Sequence, residues 1–188
     1  MKGIVEIFGD VVKNTGQDLC ITVPVDVEND KFEMIENPNL NYIFGSAQYI
    51  KDKLDEYSKV PSMSERKFPL VALFCPVTEK RDSIDYHAKV TLNILIACSS
   101  TKSWGNERRL QASFINILRP IYNRLITVLL NDDRFDIEYE NIIPHDYSEN
   151  YSYGRYGAYT ESGEAVSEPI DAINIRSMEL KVKNQTCR

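Results

Sequence analysis

Residues 68–75 read FPLVALFC, an apolar run closed by Pro76. A strand without a polar side must be covered on both faces. After the charged connection 77–84 (VTEKRDSI), Tyr86, Ala88, Val90, Leu92, Ile94 and Ile96 alternate with His87, Lys89, Thr91 and Asn93. The second face then turns apolar at Leu95 and Ala97. Together these residues predict an antiparallel hairpin at the centre of a sheet, spanning 68–97. The rest of the chain must pack around it.

The flanking segments supply further elements. Ile4, Val5, Phe8, Val11 and Val12 form one helical stripe, stopped at Asn14-Thr15-Gly16. Leu19, Ile21, Val23, Val25 and Val27 alternate as a strand, with Pro24 suited to an edge, and 32–35 return as its partner. Leu40 to Phe44 is a short strand ending at Gly45, and Ser46 is a good N-cap for the helix carrying Ala47, Ile50, Leu54 and Tyr57. Trp104-Gly105-Asn106 leads into the longest helix, about 106–131. There Leu110, Phe114, Ile117, Ile121, Leu125 and Val128 make one buried stripe. Pro120 lies inside it, so a kink or two abutting helices are expected. Residues 135–143 suggest one more strand. In the last strand, Ile173 and Ile175 alternate out of phase with Met178, Leu180 and Val182. One inserted residue restores the parity, so a β-bulge is expected near Arg176–Met178.

At 188 residues the chain fits one domain, residues 1–188, with a hairpin insertion at about 19–36 and a long Tyr/Gly-rich loop at about 144–168. No regular βαβ alternation is visible. The order of elements predicts an α+β fold, a mostly antiparallel sheet with helices packed on one face.

Chemistry is sparse. No phosphate-binding or dinucleotide-binding glycine motif occurs, so no cofactor is expected. The four cysteines, Cys20, Cys75, Cys98 and Cys187, form no C-x-x-C pair and read as free thiols of a reducing compartment. A Cys98–His87 nucleophile pair has no motif behind it. Asp132, Asp133, Asp136, Glu138 and Glu140 lack the spacing of a calcium loop, and a solvated helix end and strand face is the simpler reading, so no metal site is assigned. Trp104 reads as a packing residue. The net charge of −6 disfavours a stable grip on nucleic acid or on an anionic membrane. Glu6 and Asp10 interrupt the N-terminal apolar run, against a signal peptide or a membrane span.

The segment Tyr147 to Gly163, YSENYSYGRYGAYTESG, holds five of the eleven tyrosines and three of the eight glycines. Tyrosine combines a stiff apolar ring with a polar tip, which suits an interface. The alternative is a lid folded over its own domain. Stacking on single-stranded nucleic acid is weaker, since Arg155 is the segment's only cation.

The phrases LNYIFGSAQYIKDKL, KFPLVALFCP, YHAKVTLNILIA, NERRLQASFINILRPIYNRLI and DAINIRSMELKV follow one another in an order that resembles the tail-terminator, or tail-completion, proteins of tailed bacteriophages, especially those of Bacteroidetes hosts. The resemblance covers about residues 40–130 and 168–184. It implies a non-enzymatic virion structural protein made in the bacterial cytoplasm. Its homo-oligomeric ring would join the tail tube to the neck and portal connector. A hexamer is implied, with a dodecamer as the alternative in a portal-proximal neck ring. DNA would pass through the bore without specific binding. The hairpin at 19–36 and the segment 141–168 depart from the family's compact pattern. For a ring subunit, the expected contact residues are Glu79, Lys80, Arg81 and Asp82 in the charged connection and Tyr151, Tyr153, Arg155, Tyr156 and Tyr159 in the tyrosine-rich segment. A small enzyme using Cys98 or the carboxylates, and a cytosolic adaptor, are the competing classes.

Overall fold

A computed structural model describes residues 2–26, 31–64, 66–82, 84, 86–137, 142–156 and 168–183. The elements run α1 (Ile4–Thr15), β1 (Cys20–Asp26), β2 (Lys31–Glu36), β3 (Asn41–Gly45), α2 (Ala47–Lys59), α3 (Pro61–Ser64), β4 (Leu70–Phe74), β5 (Thr78–Lys80) and β6 (Ala88–Ser99). Then come α4 (Asn106–Arg109), a π-helical stretch (Leu110–Leu118), α5 (Arg119–Leu130), β7 (Phe135–Asp136), β8 (Asp146–Tyr156) and β9 (Glu168–Val182).

The α+β class holds. The central pairing is the expected one, with β4 antiparallel to β6 and Leu70 opposite Ala97. Leu70, Val71, Ala72 and Leu73 are all buried, as a strand covered on both faces requires. The main sheet runs β3-β4-β6-β9-β7, with β5 beside β6 and β8 beside β9. β1 and β2 make a separate two-stranded sheet.

Three expectations need correction. First, β3 and β4 are parallel, and α2 belongs to the crossover between them, so the sheet is mixed and one βαβ unit is present. A parallel neighbour demands such a crossover. Second, helices cover both faces. α1, the π stretch and α5 bury Phe8, Val11, Phe114, Ile121 and Leu125 against Val71, Leu73, Val90, Leu92 and Ile94. α2 buries Ile50 and Leu54 on the opposite face, against Ile43, Leu70, Ala72, Leu95 and Ala97. The second apolar face of FPLVALFC and of Leu95 and Ala97 is the reason. Third, residues 146–156 of the tyrosine-rich segment form a strand rather than a loop, and the charged connection contains β5. The rest of that segment up to residue 167 lies outside the described residues. The strand expected at 135–143 is the two-residue β7, with 138–141 outside the described residues.

Two helical stretches abut at Pro120, as one of the two expectations had it, and the first of them is π-helical. The nine residues 110–118 widen into π turns, and the Arg119 N–H donates to the Phe114 carbonyl, five residues back. Proline lacks the N–H for an α-type bond and its ring crowds the carbonyl four residues earlier. Widened turns immediately before it relieve that crowding. The expected stripe is recovered at Phe114, Ile117, Ile121 and Leu125, but it continues to Leu129 in place of Val128.

The bulge appears where the parity change put it. Met178 lies opposite Leu92 and Ile175 opposite Ile94, so β9 has one residue more than β6 between those pairs. Ser177 adopts φ 54°, and its N–H donates to Asn93 Oδ1 at 3.1 Å. The extra residue keeps Ile173, Ile175, Met178, Leu180 and Val182 in one core. At the end of α1, Gly16 is needed for proximity: a Cβ there would lie 2.5 Å from the Pro38 carbonyl oxygen.

Candidate interaction surface

β8 pairs antiparallel with β9, from Asp146 opposite Arg176 to Tyr156 opposite Glu168, with an irregularity between Asn150 and Gly154. Alternation along a strand puts Tyr147, Glu149 and Tyr151 on one face. That face meets the long helix. The Tyr147 ring lies edge-on to Tyr122 at 4.8 Å, and the Tyr151 ring is 4.4 Å from Phe114. Arg119 grips Glu149 with both arms of its fork, Nε to Oε1 at 2.7 Å and Nη2 to Oε2 at 3.0 Å. Tyr147 Oη donates to the same carboxylate at 2.6 Å. The Tyr122 hydroxyl and His145 Nε2 share a 2.8 Å hydrogen bond, and His145 Nδ1 lies 2.7 Å from the Ile143 carbonyl oxygen. A protonated Nδ1 donating to that carbonyl leaves Nε2 to accept from tyrosine.

The electrostatics follow the contacts. Arg119's hydrogen bonds hold the Glu149 carboxyl below its ordinary range, against the opposing effect of burial. Burial, then the bond to Glu149, pushes the Tyr147 phenol up. The strand is therefore fastened to its own chain by an ion pair and by ring packing. Of the expected contact residues, Tyr151 is half-buried, with its ring packed on Phe114. Tyr153, Arg155 and Tyr156 lie on β8, and their side chains are outside the described residues, as is the whole of Tyr159.

Among the described residues, the second expected group lies on a different strand pair from the first. Glu79 and Lys80 lie on β5, which pairs with β6, whereas β8 pairs with β9. The charges of this segment largely satisfy one another. Arg81 Nε donates to Glu79 at 3.0 Å, and Lys80 pairs with Asp82 at 2.7 Å. Lys80, Arg81 and Asp82 are exposed, and the hydrogen bond from Lys80 lowers the Asp82 pKa.

The β1–β2 hairpin leans on the body at its inner face, where Ile21 is buried. Arg108 braces it, with its guanidinium over the Phe32 ring at 5.0 Å and over Trp104 at 5.6 Å. Trp104 thus packs as expected. Val25, Met34 and Ile35 remain exposed, Met34 at 65%. Beneath the hairpin is a crevice of about 560 Å³ with Ile21, Val23, Ile35, Phe68, Cys98 and Ile117 among its lining residues.

The candidate chemical groups are occupied otherwise. Cys98 is buried, and desolvation pushes its thiol up to about 12, so the thiolate nucleophile is suppressed. His87 precedes the other end of the twelve-residue β6, roughly 35 Å of extended backbone away, so the two cannot form a nucleophile pair. Asp132 and Asp10 both accept from Arg134, at 2.6 and 2.8 Å. Glu138 and Glu140 lie outside the described residues.

Sequence reasoning missed a buried polar cluster. Arg109 donates through Nη1 to Asp171 Oδ1 at 2.6 Å and to Ser100 Oγ at 2.7 Å. Its other nitrogens donate to the carbonyls of Thr101 and Trp104. Ser113 Oγ donates to Asp171 Oδ2 at 2.7 Å. The available signal was Asp171 itself, a charge inside the apolar run IDAINI. The cluster ties the end of β6, the helix start and β9 into one corner.

Comparison of the sequence with models of the known protein families gives no match, and comparison with the curated proteins gives none either.

Proposed function

We propose that this chain is a non-enzymatic structural subunit of a tailed-bacteriophage virion, a ring-forming protein at the junction of tail tube and neck. The resemblance in the order of its sequence phrases supplies the family. The observation that carries the reading is the β1–β2 hairpin, which makes a sheet of its own and exposes Val25, Met34 and Ile35. A two-stranded hairpin is marginal in water by itself, and exposed apolar side chains on one favour a neighbouring chain. The suppressed Cys98 thiol argues against the enzymatic alternative based on that residue. The net charge of −6 suits a channel that DNA traverses without being held.

Identical subunits contacting head to tail close into a cyclic ring. On this reading the ring is a hexamer, touching the tail tube on one side and the neck connector on the other. Tyr151, Tyr153, Arg155, Tyr156 and Tyr159 are the proposed contacts, with Glu79, Lys80, Arg81 and Asp82 as the second group.

Negative-stain imaging of the purified protein, alone and mixed with isolated tail tubes, tests the proposal. Rings are the expected result. A protein that stays monomeric in both samples sinks it. Replacing Tyr153 and Tyr156 by alanine is expected to leave thermal stability intact and to weaken assembly.

A further inference from the structure

A sheet edge is a row of unpaired backbone donors and acceptors, and proteins blunt it with short strands, lysine, proline or bulges. Most edges here carry such a device. β5 has three residues and includes Lys80, and β7 has two residues. In the hairpin, β1 contains Pro24 beside a register shift and β2 begins with Lys31. β3 and β8 differ. Neither contains lysine or proline, and each pairs on one side alone among the described residues, β3 with β4 and β8 with β9.

The irregularity after Asn150 limits the regular edge of β8 to residues 146–150, five residues. β3 is also five residues long. The two strands stand on opposite margins of the sheet, with β4, β6 and β9 between them. β8 is already fixed by the Arg119–Glu149 and Phe114–Tyr151 contacts, so little ordering entropy remains to be lost when a partner arrives. β3 carries Phe44, an aromatic side chain 49% exposed.

We infer that the open edge of β8 at residues 146–150 pairs with the open edge of β3 in a second copy of this chain. Pairing between opposite margins is a head-to-tail contact, which repeats around a ring, whereas β8 against β8 gives a closed twofold dimer. About five ladder hydrogen bonds join each pair of subunits, and Phe44 is covered in the process. The inference rests on the ring reading and names the strands that close it.

Amide hydrogen exchange, compared between the monomer and the assembly, tests the pairing. Within both 41–45 and 146–150, alternate amides point to the open side. Their exchange is expected to slow by at least about 100-fold on assembly. Rings whose β3 and β8 amides exchange as in the monomer overturn the edge pairing and leave the ring reading standing. Slowing in β8 without slowing in β3 overturns the choice of β3. Failure to assemble at any concentration, alone or on tail tubes, overturns both.

Discussion

Arg109 Nη1 and Asp171 Oδ1 lie 2.6 Å apart, with the two side chains 5% and 0% exposed. Arg109 closes the first turn of the long helical segment, and Asp171 sits on β9, 62 residues later. The pair therefore ties the first turn of the helical segment to β9. Ser113 supplies a further hydrogen bond to the carboxylate, and Ser100 a further acceptor for the guanidinium.

Removing one partner leaves an uncompensated buried charge. Asp171→Ala is expected to destabilise the fold by about 3–5 kcal/mol. The double variant Arg109→Met with Asp171→Leu is expected to lose less, since both charges go together. Urea unfolding midpoints of the three proteins, at equal m-values, check the order.

The bulge at Ser177 sets the phase of β9. Ser177→Gly keeps the extra residue and relieves a left-handed backbone, so stability is expected to change by less than about 1 kcal/mol. Deleting Ser177 is different. Ile175 and Met178 would then stand two residues apart, so the five apolar residues would still alternate on one face of an unbulged strand. Cooperative unfolding is expected to persist with a shifted midpoint, as the twist and the Asn93 hydrogen bond of the bulge are lost. Circular dichroism melting of the two variants distinguishes them.

Tyr151→Ala tests how far β8 is held by packing on its own helix. The Phe114 contact predicts a loss of about 1–2 kcal/mol in monomer stability, from ring packing and lost apolar burial. Thermal melting of the isolated monomer measures it. An unchanged melting temperature would show that the Phe114 contact contributes nothing to holding the strand.

The Glu149 carboxyl titrates below its ordinary value of 4.5 because Arg119 hydrogen-bonds its charged form. Its folded pKa lies below the unfolded one, so its stabilisation is complete above about pH 4.5 and disappears as pH falls through the folded value. Glu149→Gln is expected to cost about 1 kcal/mol or less at neutral pH, given the partial exposure of Arg119, and the difference from wild type should shrink as pH falls below the ordinary carboxylate range. Denaturant unfolding across that range provides the measurement.

Several features were legible in the residues alone. The central β4–β6 pairing followed from continuous and alternating apolar runs. The bulge followed from a break in parity, because a strand's side-chain period is two and one extra residue must invert it. The hairpin at 19–36 followed from alternation around a turn. These signals are local: each element's burial pattern is written along its own stretch of chain.

What the fold alone decided is how separate stretches meet. The parallel placement of β3 beside β4, and the choice of opposite faces for α2 and for the long helix, depend on the crossover rather than on either strand's pattern. The tyrosine-rich stretch showed no aliphatic alternation, so its first part read as a loop; it is a strand because β9 offers an open edge and the helix offers Tyr122, Phe114 and Arg119 as partners. The Arg109–Asp171 pair was hidden for the same reason. An ion pair between residues 62 positions apart leaves no periodic trace, since its energy depends on a distance that only packing sets.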